Sequence, residues 1–187
     1  MDISQLDVIV RVAGATLLLL LTILLSRDPR TRRVAVYFAP MAVCLVGFLA
    51  GNTPDPSLRL SGPLGTVGAL IAGYAAVFLW WFCLASFDPL FRPRGGVLVM
   101  GLAWLIIASA DRGLFGPDLA SRGLSWALIA LGVSMLAYLA WRLVRDRAGD
   151  LVDESRRARL LVVVLLAGQL GADFVVDLVM GLDWSPH

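Results

Sequence analysis

Val8-Ile-Val-Arg-Val-Ala-Gly-Ala-Thr-Leu-Leu-Leu-Leu-Leu-Thr-Ile-Leu-Leu-Ser26 carries one charge, Arg11, and runs directly into Arg27-Asp-Pro-Arg-Thr-Arg-Arg33. About 20 apolar residues in helical form cross the roughly 30 Å of a bilayer's hydrocarbon core. The arginine cluster that follows is the mark of a cytoplasmic loop. The same alternation, an apolar run closed by a charged cluster, recurs along the chain. It decides the fold class, an all-α polytopic membrane helix bundle.

Six apolar spans follow from this reading, at 8–26, 34–51, 65–87, 96–110, 119–143 and 160–182. They occupy nearly all of the 187 residues, so one transmembrane domain over 1–187 is expected. Only 16% of the residues are charged, against about a quarter in soluble domains. The arginines sort by loop. Arg27, Arg30, Arg32 and Arg33 follow the first span, and Arg92 and Arg94 the third. Arg142, Arg145, Arg147, Arg156, Arg157 and Arg159 surround the loop after the fifth. The intervening loops hold only Arg59, Arg112 and Arg122. The positive-inside rule then places the arginine-rich loops in the cytoplasm and both ends of the chain on the other side. A multi-pass protein of a bacterial inner membrane is expected.

Composition also excludes functions. The net charge of +2 is too small for nucleic-acid binding by this segment. All sixteen basic residues are arginine, so no lysine is present to form a Schiff base with retinal. The single histidine is His187, which rules out a bis-histidine haem within the bundle. No His/Cys cluster has metal-ligand spacing, and the one glutamate, Glu154, lies in a cytoplasmic loop. No catalytic residue, cofactor or metal is expected. Cys44 and Cys83 fall inside apolar runs, at depths about 9 Å apart, and read as small core hydrophobes with no disulfide between them.

Polar groups inside the spans are the functional candidates in a membrane. Gln169, Asp173 and Asp177 are spaced four apart and share one stripe of the sixth helix. Counted from Leu160, Asp173 lies about 20 Å and Asp177 about 26 Å above the cytoplasmic edge. Arg11, counted from Ser26, lies at about 22 Å. An Arg11–Asp173 or Arg11–Asp177 pair is therefore expected, either as an outward-facing polar pocket for a ligand, cation or proton, or as an interhelical clasp. In the cytoplasmic loop, Arg145, Arg147, Arg156, Arg157 and Arg159 are candidates for docking a partner. Small residues at helix-packing spacing, such as Gly47–Gly51, Gly68–Ala72 and Ala69–Gly73, favour close backbone approach within the bundle. Trp126 and Trp141 stand near the two ends of the fifth span, as interfacial anchors do.

Two stretches carry a family resemblance. Phe78-Leu-Trp-Trp-Phe-Cys-Leu-Ala-Ser-Phe-Asp-Pro-Leu-Phe-Arg-Pro-Arg94 resembles the pattern FWLFARALFDDRFRPR. Asp150-Leu-Val-Asp-Glu-Ser-Arg-Arg-Ala-Arg-Leu-Leu161 is similar to DLVEARRRLR. Both patterns belong to the membrane-embedded sensor region of bacterial AraC-type helix-turn-helix regulators, and the order of spans agrees. The resemblance implies a non-enzymatic membrane sensor or signalling module. In that family a seventh helix and a cytoplasmic DNA-binding domain follow. Here the sequence ends at Asp183-Trp-Ser-Pro-His187, which implies a fragment of such a regulator or a stand-alone relative. The other reading is a small accessory subunit of a larger membrane complex, with the bilayer, other membrane subunits or a second copy as partners.

Overall fold

The computed structural model describes residues 3–29, 31–51, 62–88, 90–116 and 124–145. They form six α-helices: α1 (Ile3–Arg27), α2 (Arg32–Gly51), α3 (Gly62–Ala72), α4 (Ala75–Phe87), α5 (Gly96–Asp111) and α6 (Ser125–Arg145). No strand occurs among the described residues. The expected sixth span, 160–182, lies outside them, as do Gln169, Asp173, Asp177, Arg147, Arg156, Arg157 and Arg159.

Among the described residues three stretches are long and apolar enough to cross a membrane, Gln5–Arg27, Arg32–Gly51 and Ser125–Arg142, and the bent pair α3–α4 makes a fourth if taken as one span. The first has none of its most apolar window buried, so Leu17, Ile23 and their neighbours face outward. In water this would be a large exposed apolar patch; against lipid it costs nothing. Hydroxyls along these helices bond backward to their own backbone: Thr16 to the Val12 carbonyl and Thr22 to that of Leu18, both at 2.8 Å, and Ser134 to that of Ala130 at 2.7 Å. Each polar group is satisfied within its own segment, as an apolar solvent requires.

The chain divides into two units, residues 1–125 and 126–187. In the first, α2 is the hub, packed against α1, α3 and α4. Phe38, Met41 and Ala42 form its core stripe, joined by Leu18, Leu25, Leu45, Phe78 and Phe82. Pro40 lies inside α2 and the helix continues through it. The turn from α1 to α2 is closed by the Thr31 hydroxyl, which donates to the Leu25 carbonyl at 2.9 Å and satisfies an end carbonyl of α1.

Glycines set two of the helix contacts. A Cβ on Gly47 would sit 3.0 Å from the Gly68 carbonyl oxygen, so α2 and α3 meet backbone to backbone. Gly51, the other half of the same motif, has nothing within 4 Å. A Cβ on Gly101 would collide with the Trp81 ring, which lets α5 lie against α4. Cys44 and Cys83 are free and buried, as small core residues.

The third span departs from expectation. The run 65–87 reads as one helix but is two, α3 and α4, meeting at Gly73-Tyr74 with a bend of 41°. Residues 62–87 give about 39 Å of helical path, more than a bilayer core needs, and a bend takes up the excess.

In the second unit, α6 carries Met135 and Leu139 on one buried stripe, four residues apart. Trp126 and Trp141, 57% and 52% exposed, stand at its two ends.

Candidate functional site

A helix that breaks inside an apolar environment leaves backbone carbonyls to be satisfied by something else. At Gly73-Tyr74 the partners come from α5. Trp104 Nε1 donates to the Gly73 carbonyl at 2.9 Å, and Arg112 Nη1 donates to the Ala69 carbonyl at 2.8 Å. The Ala69 oxygen also accepts from Gly73 N at 3.3 Å, a stretched helical bond. The guanidinium thus lies at the C-terminal end of α3, where helix carbonyls collect partial negative charge.

Tyr74 supplies the third link. Its hydroxyl lies 2.6 Å from Ser109 Oγ, and Ser109 Oγ donates to the Leu105 carbonyl at 2.7 Å. A serine has one hydroxyl hydrogen, so Tyr74 is the donor in the shorter bond. Ser109 is buried although polar. Thirteen residues separate Tyr74 from Phe87, and thirteen separate Ser109 from Gly96. Both groups therefore sit about 20 Å above the arginine-rich end, at matching depth. Tyr74, Ser109, Trp104 and Arg112 make one polar cluster around a backbone break, within otherwise apolar helices.

Sequence reasoning missed this cluster. Its candidates are Arg11, Gln169, Asp173 and Asp177, and none of the four cluster residues is among them. Two signals were present: a Gly-Tyr step within an apolar helix, and a lone hydroxyl in the fourth span at the same counted depth.

Arg11 is the described member of the expected ligand or ion-pair set. Its Nε donates to Asp7 Oδ2 at 2.7 Å, and its Nη1 donates to the Leu49 carbonyl at 3.0 Å. Arg11 and Asp7 are 22% and 27% exposed. The countercharge thus comes from the same helix, one turn earlier, and the second bond ties α1 to the last turn of α2. Asp7 stands four residues before Arg11 in the sequence, the i,i+4 spacing of a helical ion pair. Of the docking candidates, Arg145 ends α6, exposed, with its guanidinium 5.1 Å from the centre of the Trp141 ring. Among the described residues no three His, Cys, Asp or Glu side chains cluster as metal ligands do.

Comparison with protein-family models, with curated proteins and with solved structures returns no match, so the resemblance to the AraC-type sensor region stands on its two sequence motifs alone.

Proposed function

We propose that this chain is a non-enzymatic sensor or signalling module embedded in a bacterial inner membrane, with six spans and both termini on the periplasmic side. The polar cluster at the broken third span carries the reading. It joins α3, α4 and α5 through hydroxyl, indole and guanidinium groups, with the Tyr74–Ser109 pair about 20 Å above the arginine-rich end. In this reading the joint exchanges between the bent arrangement and a straighter one, and a signal that binds one better than the other shifts the balance. The resemblance to AraC-type sensor regions supports the same role. The output would leave through the arginine-rich loops, which the positive-inside rule assigns to the cytoplasm. No direct nucleic-acid contact by this segment is part of the proposal.

The alternative, an accessory subunit of a larger membrane complex, draws on the outward-facing apolar surface of α1. One experiment separates the two. Spin labels at Leu64 on α3 and Leu114 beyond α5, in the full chain reconstituted in bilayers, report the bend. A sensor gives a distance distribution that shifts when external pH or divalent cation is varied. A single invariant distance, together with stoichiometric recovery of other membrane subunits on native purification, favours the accessory role and sinks the sensor.

A further inference from the structure

The loop that joins α4 to α5 is built to present, not merely to connect. Asp88 Oδ1 accepts from Leu90 N at 2.9 Å, and the Asp88 carbonyl accepts from Phe91 N, also at 2.9 Å. These two bonds fold an Asx-type turn. Phe91 is held against Tyr37 of α2, edge to face with ring centres 5.5 Å apart, and the Tyr37 hydroxyl donates to the Phe91 carbonyl at 3.3 Å. Pinned on both sides, the turn pushes Leu90 outward, 78% exposed. Arg92 and Arg94 follow it, exposed. Arg33 lies one turn before Tyr37 on the same stripe of α2, and Arg32 beside it; both are exposed.

We infer that this end of the first unit, with Leu90 as an apolar tip among Arg32, Arg33, Arg92 and Arg94, is a docking surface for anionic phospholipid headgroups. Charge complementarity and position argue for lipid over an acidic protein. The loop links helices whose apolar residues stop at Phe87 and resume at Val97, so its backbone sits at headgroup height. A leucine there gains by entering the acyl boundary, and guanidinium groups pair with phosphate through two parallel hydrogen bonds. The basic surface attracts anionic lipid from whichever leaflet it faces, so the inference stands apart from the sensor reading.

The test uses the full chain in phosphatidylcholine bilayers with spin-labelled phosphatidylglycerol or phosphatidylcholine as probe. The ratio of their association with the protein is read from the immobilised spectral component. The wild type should prefer phosphatidylglycerol, by up to about fivefold for each arginine engaged. R92Q/R94Q should lower that preference severalfold, leaving the share held by Arg32 and Arg33, and L90S should lower it in part. Raising salt to about 1 M, where screening acts within about 3 Å, should collapse the wild-type preference and decides the matter should the variant fail to reconstitute. No preference in the wild type, or one that survives both R92Q/R94Q and salt, overturns the inference. Displacement by inorganic phosphate at matched ionic strength also overturns it, by exposing a free-anion site.

Discussion

Trp104→Phe removes one hydrogen-bond donor from the broken third span and leaves an aromatic ring in place. The Gly73 carbonyl loses the indole N–H now at 2.9 Å. A buried carbonyl deprived of its donor costs about 1–3 kcal/mol, and side-chain hydrogen bonds in membrane bundles average about 0.6 with a maximum near 1.7 kcal/mol. The smaller ring adds a modest packing loss, so about 1–2 kcal/mol is expected. Tyr74→Phe should cost less, under about 1 kcal/mol, because Ser109 keeps its own bond to the Leu105 carbonyl and is not orphaned. Trp126→Phe, on a largely exposed ring, should lie within about 0.5 kcal/mol of wild type. Steric trapping of the unfolded state in bicelles measures all three without relying on tryptophan emission. A Trp104→Phe effect no larger than that of Trp126→Phe would mean that α5 does not hold the break.

Further predictions concern close contacts and the buried charge. Gly47→Ala should destabilise the bundle by about 1 kcal/mol, since its Cβ would press on the Gly68 carbonyl, while Gly51→Ala should be neutral or mildly stabilising in the same assay. Gly101→Ala should cost about 1–3 kcal/mol, because the Trp81 ring beside it is buried and must move; a loss under about 0.5 kcal/mol by steric trapping, the range of routine surface substitutions, would contradict the α4–α5 packing. Asp7→Leu should destabilise by about 1 kcal/mol, because it strands a partly buried Arg11, and adding Arg11→Met should recover part of that loss; equal losses in single and double variants would dissolve the pairing.

The helices legible in the sequence were those whose ends are chemical. The first two apolar runs end at arginines and prolines, and α1 and α2 begin and stop within a few residues of the expected limits. The short fourth run, 96–110, is a helix over almost the same residues. The break at Gly73-Tyr74 is marked in the chain only by the Gly-Tyr step itself, with no proline or charge beside it. Its donors, Trp104 and Arg112, lie 31 and 43 residues from the carbonyls they reach. Periodicity reports which residues favour a helix and says nothing of a distant indole that rewards its interruption. Arg11 pairs with Asp7, four residues away and so within reach on one helix, while Asp173 and Asp177 lie outside the described residues.

Sidedness across α5 is the most direct measurement of the membrane arrangement. Cys44 and Cys83 are each 2% exposed, so a membrane-impermeant maleimide should leave the native thiols unlabelled in folded protein. Leu90→Cys and Leu114→Cys, introduced singly, place a reactive thiol on either side of α5. The expected result is labelling of Leu114→Cys in right-side-out vesicles and of Leu90→Cys only in inside-out vesicles. Labelling of both from one side would show that α5 does not cross the bilayer, and the reverse sidedness would place the arginine-rich loops outside.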